Sequence, residues 1–282
     1  MHLRSLLLNL LGVAFVVGLA IPADGFPPSP HFTLFGIVRD QVGQRLPANG
    51  STEVILLRGN VEISRTPLSK SLLDQNYEMK IKVDANRPGT DLYRELAFAN
   101  DAPFSVAVDI NGVRFYPIEV AGTLRVGTGG ERQRLDLNLG EDTDLDGLPD
   151  AWEEWQLYTM GFYPDRGGNW DLSLFSWNGD FDHDGLIDGL EYIAGTFAGD
   201  ATEKFDLNIL SITDGVARFN FYQIIGKLYT IETSEDGQSW RAVDFSVAEK
   251  PVSKSHQAGS IGIVSASAAS PSSRALFRLT VR

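Results

Sequence analysis

Apolar and polar residues alternate with a period of two at both ends of the chain, and a different pattern interrupts them. In the first half Tyr77, Met79, Ile81 and Val83 alternate with Glu78, Lys80 and Lys82. Phe104, Val106 and Val108 alternate with Ser105 and Ala107, and Leu135, Leu137 and Leu139 with Arg134, Asp136 and Asn138. Successive side chains of a strand face opposite ways, so this pattern buries one face and wets the other. Residues 33–39 and 53–57 add further strand candidates, and Asn49-Gly50 and Asn111-Gly112 supply turns. The spacing predicts a β-sandwich of about seven strands over residues 26–140, entered through the stiff Phe26-Pro27-Pro28-Ser29-Pro30 segment.

The alternation returns near residue 206. Phe219 and Phe221 alternate with Arg218 and Asn220, Tyr229, Ile231 and Thr233 with Thr230 and Glu232, and Phe277, Leu279 and Val281 close the chain. Glu235-Asp236-Gly237 reads as a hairpin, and the Ser-rich residues 265–273 as a loop. Residues 206–282 are expected to form a second, smaller β domain. Between the two, residues 141–205 predict two short helices. One covers 150–160, with Trp152, Trp155 and Thr159 on one face and Gly161 as its stop. The other covers 188–194, with Leu190 and Ile193 inward and Gly195 as its stop. The expected fold is mainly β: two antiparallel β-sandwich domains joined by a loop-helix connector.

Charge marks the connector as the chemically distinctive part. Residues 141–206 carry 17 acidic and two basic residues, Arg166 and Lys204, for a net −15. The rest of the chain carries +2 of the overall −13. Such a segment repels nucleic acid and attracts cations.

The acids are ordered. Asp142, Asp144, Asp146, Gly147, Asp150 and Glu153 stand at positions 1, 3, 5, 6, 9 and 12 of one loop. Asp180, Asp182, Asp184, Gly185, Asp188 and Glu191 repeat that spacing. Calcium takes six to eight oxygens at roughly 2.3–2.6 Å. Carboxylates at 1, 3 and 5 of a tight loop converge on one point, and the glycine permits the sharp turn. The carbonyls of Leu148 and Leu186, at position 7, add a backbone oxygen. Position 9 reaches the ion directly or through water, and the glutamate at 12 closes the shell. Two full matches in one segment argue against plain acidic turns, because alternate carboxylates repel without a counterion. Two calcium sites are expected, and magnesium is disfavoured by so many protein oxygens.

These loops resemble EF-hand calcium loops, and more closely the thrombospondin type 3 repeats of bacterial exported proteins, over about residues 141–200. They depart from a true EF-hand in two ways. A strand candidate, not a helix, precedes Asp142. Pro149 stands at position 8, where paired EF-hands bridge their loops through a backbone N–H that proline lacks. Half-hands are therefore expected, with tighter binding at the second loop, because Pro149 strains the first loop or removes a bridge and the second has Ile187 there. The first β domain is similar in pattern to carboxypeptidase-regulatory-like or Cna-B-like sandwiches. Residues 229–240 resemble the fibronectin type III-like ends of exported proteins from Verrucomicrobia and related bacteria. These likenesses imply architecture, not an activity.

The first 25 residues read as a secretion signal. Arg4 gives a positive start, residues 6–21 form an apolar run broken only by Asn9, and Ala23-Asp24-Gly25 offers small residues for cleavage after Gly25. The run is shorter than the roughly 20 residues a spanning helix needs, and no later segment is apolar enough to span. A secreted or cell-envelope location is expected. There is no cysteine, which excludes thiolate metal sites and disulfides. No H-E-x-x-H or G-x-S-x-G motif occurs, and Gly127-Thr128-Gly129-Gly130 lacks phosphate-loop spacing and reads as a turn. Trp170, Phe175 and Trp177 read as a small core under the loops or, alternatively, as a sugar-stacking platform. The expectation is a non-enzymatic calcium-binding protein whose partner is a surface protein or a polysaccharide. Two alternatives are a carbohydrate-binding or adhesive module, marked by an exposed aromatic row on a β face, and a dockerin-like assembly module, marked by exposed apolar residues on both outgoing helices.

Overall fold

The computed structural model describes residues 29–70, 74–84, 96–121, 124–248, 250–270 and 275–282. The predicted signal, 1–25, lies outside them. The protein is mainly β with several sheets, and two α-helices stand among the described residues. No described helix is long and apolar enough to cross a membrane.

In the first β unit, Phe32–Gly36 pairs antiparallel with Tyr77–Ile81 and parallel with Arg132–Arg134. A second sheet runs Leu124–Arg125, Pro103–Ile110, Thr52–Arg58, Val61–Pro67, with Val113–Phe115 added to Pro103–Ile110. The inward residues of the alternating runs make one core: Phe32, Leu34, Tyr77, Met79 and Ile81 from the first sheet meet Val54, Leu56, Phe104, Val106 and Val108 from the second. The predicted run 33–39 is split at Ile37, and its second piece, Val38–Arg39, pairs parallel with Leu137–Asn138. The chain thus closes the unit with parallel edges, which an expectation of purely antiparallel pairing missed. Strand alternation shows which face is buried but not which neighbour is paired.

In the last unit one sheet runs Leu207–Thr213, Val216–Gln223, Gly262–Ala269, Phe245–Val247. The other places Leu228–Ser234 among Arg241–Ala242, His256–Gln257 and Leu276–Val281. Glu235-Asp236-Gly237 turns the chain between Leu228–Ser234 and Arg241–Ala242. Of the Ser-rich residues 265–273 expected as a loop, 265–269 belong to the strand Gly262–Ala269, and 271–273 lie outside the described residues. Ala266 and Ala268 of that strand are buried, and they lie beside Phe219 and Ala217. A ring as large as Phe219 needs a small neighbour, so low hydropathy here reflects packing, not a break in the sheet.

Between the units lie helix α1, Asp150–Thr159, and helix α2, Asp188–Ala194. Leu148, Trp152, Leu157, Phe175, Tyr192 and Ala198 form their core, with Trp170 and Trp177 packed against it. The aromatic group between the loops is therefore a core. The helix faces differ from expectation. α1 buries Trp152, Glu153, Gln156 and Leu157 and leaves Trp155 50 % exposed. α2 buries Asp188, Gly189, Glu191, Tyr192 and Ala194 and leaves Leu190 46 % exposed. Both helices turn a glutamate inward where hydropathy would turn a large apolar residue.

Candidate metal centre

The two acidic loops have the same backbone. Position 4 is left-handed in each, with φ 62° at both Leu145 and His183. Position 6 is also left-handed, with φ 99° at Gly147 and 95° at Gly185, which glycine adopts without a Cβ penalty. Backbone amides fold inward onto the first carboxylates. Gly147 N donates to Asp142 Oδ2 at 3.1 Å, and Gly185 N to Asp180 Oδ2 at 3.2 Å. Leu148 N donates to Asp146 Oδ1 at 2.8 Å, and Leu186 N to Asp184 Oδ1 at 2.7 Å. His183 points outward, as its position predicts, with its Nδ1 2.6 Å from the Asp180 carbonyl oxygen.

This backbone brings the acids together. Oxygens of Asp142, Asp144 and Asp146 lie within 4.8 Å of one another, as do those of Asp180, Asp182 and Asp184. In the first loop a further group of Asp144, Asp150 and Glu153 meets the same limit. Glu153 is 0 % exposed and neither of its carboxylate oxygens has a hydrogen-bond partner. Asp146 Oδ2, Asp180 Oδ1, Asp182 Oδ2 and Glu191 Oε2 are likewise buried and unpartnered. Leaving a buried acceptor unsatisfied costs ~1–3 kcal/mol, more when it is charged. Burial pushes the Glu153 carboxyl up to about 9, with the charges of Asp146, Asp144, Asp150 and Asp142 adding to it. Burial, then Asp182, raises Glu191 to about 8. Burial also raises Asp146 to about 6 and lifts Asp144 and Asp182. The loops are built around centres of negative charge that lack a positive partner.

Position 9 acts differently from the other acids. Asp150 Oδ1 accepts Thr143 N at 2.8 Å, while Asp150 still belongs to a carboxylate group. Asp188 is fully buried. Its Oδ1 accepts Phe181 N at 2.9 Å and its Oδ2 accepts Ser176 N at 3.1 Å. Its pKa is raised, chiefly by burial. Asp188 clasps its loop with both oxygens, as Asp142 does in the first loop, where Oδ1 accepts Asp146 N at 3.2 Å and Oδ2 accepts Gly147 N.

Pro149 is not strained. It enters α1 at φ −74° and ψ 130°, and Ile187 enters α2 at φ −75° and ψ 148°. Proline's fixed φ suits that position, which removes strain as a ground for ranking the second loop above the first.

Several residues at the centre carry no motif. Trp177 lies against Gly147 of the first loop and Gly189 of α2, where a Cβ on Gly189 would approach its ring to 2.6 Å. Thr196 Oγ1 donates to Glu191 Oε1 at 3.2 Å. Tyr192, one residue after Glu191, donates its hydroxyl to the Asp40 carbonyl at 2.9 Å. Lys227 is fully buried and donates Nζ to the Gly43 carbonyl at 2.7 Å and to the Tyr192 carbonyl at 3.3 Å. Burial, then the charge of Arg39, lowers that ammonium to about 7. These contacts span up to 184 positions, so only the spacing of Thr196 from Glu191 was within reach of sequence reading.

No protein-family model, curated protein or solved structure matches the chain.

Proposed function

We propose that the protein is an exported, non-enzymatic calcium-binding protein in which two ions stiffen the connector between two β units. The observation that carries this reading is the set of buried, unpartnered carboxylate oxygens on Asp146, Glu153, Asp180, Asp182 and Glu191. A hard divalent cation relieves that burial and takes many oxygens. Asp142, Asp144, Asp146, Glu153 and the Leu148 carbonyl supply the first site, with Asp150 beside them. Asp180, Asp182, Asp184, Glu191 and the Leu186 carbonyl supply the second, with Asp188 holding the loop. Calcium at the second site fixes Glu191, and the neighbouring Tyr192 reaches both Asp40 and Lys227. The ion thereby steadies a helix that touches both β units. Export rests on the pattern of residues 1–25.

Calcium that binds only the folded loops adds about 2.7 kcal/mol per site at 100 times its dissociation constant. Limited proteolysis with and without chelator tests this. Chelation should open cleavage between Gly140 and Phe205 while both β units persist, and should lower or split the melting transition. An unchanged cutting pattern and melting curve would refute the proposal.

A second reading has its own support. Trp155 and Tyr158 of α1 and Leu190 of α2 are 50 %, 61 % and 46 % exposed. Apolar residues on both outgoing helices favour a dockerin-like assembly face. Substituting Tyr158 and Leu190 by Ser should then abolish association with a partner protein and leave calcium binding intact.

A further inference from the structure

Two clefts meet where the end of the connector lies against the last β unit. One, of about 580 Å³, is lined by Trp155, Phe197, Ile224 and Ile261, together with Val42 of the first β unit. The other, of about 710 Å³, is lined by Leu210, Phe221, Tyr222 and Ile263. Asp200 and Glu203 line both, so the two form one groove with an acidic middle and apolar ends.

The fold builds the apolar ends. Ile263 pairs with Tyr222 across the sheet, out of step with the buried Phe221. Leu210 is the extra residue where the register shifts between Ile209 and Ser211, and such a bulge re-aims a side chain. Leu210, Ile261 and Ile263 are 58 %, 60 % and 73 % exposed. The half-exposed Trp155 ring stands edge-on to Phe197, with centroids 5.9 Å apart. Large apolar side chains gathered along one open groove mark an interaction surface, where single ones would not.

The acids are held in place as well. Thr202 donates its N–H and its hydroxyl to Asp200 Oδ1 at 3.0 and 2.6 Å, and Phe197 N donates to Glu203 Oε2 at 2.6 Å. The bonds from Thr202 hold Asp200 below the usual carboxylate range. Asp206 is a third acid, and Lys204 is the one base in the described lining, so the groove carries −2. Lys227, behind Gly195, is fully buried and directs its ammonium to two backbone carbonyls. None of the three acids belongs to a calcium loop, so filling the loops leaves this charge in place.

Charge and shape together select the occupant. Apolar ends and an acidic middle complement a segment that reads apolar, basic, apolar. A second copy of the chain fits poorly. Its exposed apolar strand, Val113–Phe115, carries a base, Arg114, that already pairs with Glu62 at 3.1 Å.

We propose that this groove docks an extended peptide segment of a partner protein, with Lys or Arg set over Asp200, Glu203 and Asp206 and apolar side chains filling the two ends. The proposal deepens the assembly reading by naming the partner's chemistry, and it is independent of the calcium reading.

Calorimetry on the full chain tests it. Calcium is titrated first, so that failure of the calcium reading registers separately. The probe is then capped Leu-Leu-Lys-Lys-Leu-Leu, with one counterpart carrying Glu for Lys and another Ser for Leu. The probe should bind, and each counterpart should bind at least about tenfold more weakly. Asp206→Lys should weaken the probe about fivefold, and Ile261→Ser with Ile263→Ser about tenfold. All three positions are exposed, so these variants keep the fold. Tyr158→Ser with Leu190→Ser, outside the groove, should bind like the parent. The proposal is overturned if the probe does not bind, if the serine counterpart binds as well, or if the isoleucine variant binds like the parent. Self-association that the isoleucine variant abolishes would assign the groove to a second copy and overturn it too.

Discussion

The two acidic loops share a sequence pattern and a backbone, and each leaves three buried carboxylate oxygens unpartnered, but on different residues: Asp146 and Glu153 in the first, Asp180, Asp182 and Glu191 in the second. In the first, Glu153 has two unpartnered oxygens and Asp150 joins it and Asp144 in a carboxylate group. In the second, Thr196 occupies one oxygen of Glu191, and two backbone amides occupy both oxygens of Asp188. The twelve-residue pattern sets which groups are present. What surrounds the loop sets which of them remain for an ion. Because Glu153 keeps both oxygens while Thr196 holds one of Glu191, the first loop is expected to be the tighter of the two proposed calcium sites, the reverse of the ranking suggested by Pro149 alone.

The largest test of that difference is loss of a central ligand. Asp144 belongs to both carboxylate groups of the first loop, whereas Asp182 belongs to one group in the second. Asp144→Ala should weaken the tightest calcium step about 100-fold, or ~2.8 kcal/mol. Asp182→Ala should leave that step in place and weaken the other. Calorimetric titration of both variants decides the order, and a tightest step that survives Asp144→Ala but not Asp182→Ala inverts it.

A middle-sized test uses pH. In the calcium-free protein Glu153 titrates at about 9 instead of 4.5, so the folded chain keeps a proton that the unfolded chain has released. The folded state binds more protons in that window, and stability therefore falls as pH rises from about 4.5 to about 9. For Glu191 the window closes at about 8. Glu153→Gln should flatten the decline of calcium-free melting temperature with pH more than Glu191→Gln does, and should raise that temperature by about 2–4 °C above pH 8. Melting curves from pH 5 to 9 in chelator measure it. Equal flattening by the two variants would remove the contrast that the Thr196 hydrogen bond makes between the two glutamates.

The smallest effect should come from Thr196→Val, which replaces a buried hydroxyl with a methyl of similar size. It frees Glu191 Oε1 and makes the second loop more like the first. Calcium affinity at the second site should rise about threefold, worth ~0.7 kcal/mol, with the first site unchanged. A fall in affinity would mean that Thr196 orients Glu191 for the ion and does not compete with it.

The mainly β fold, the alternating core strands and the two short helices were legible because alternation and turn residues are local, whereas strands such as Val61–Pro67 and Leu207–Thr213 were not read. The acid spacing was legible for the same reason, since a twelve-residue loop folds on itself. Sequence could not choose parallel edges for Arg132–Arg134 and Leu137–Asn138, because strand pairing depends on neighbours a hundred positions away. It misread residues 265–269 as loop, because the alanines there are sized to fit Phe219 and Ala217 of another strand. It turned Trp155 and Leu190 inward, because hydropathy takes no account of a buried carboxylate gathered around a charge centre. The sequence by itself determined the donor set of the two loops and the strand-forming character of the flanks. Only the tertiary structure decided that Glu153 and Glu191 are buried with oxygens left unpartnered, because packing closes off the faces of α1 and α2 that carry them. Only it, too, brought Lys227, Tyr192 and Asp40 together beside the second loop, because hydrogen bonds between distant segments form once the chain has folded.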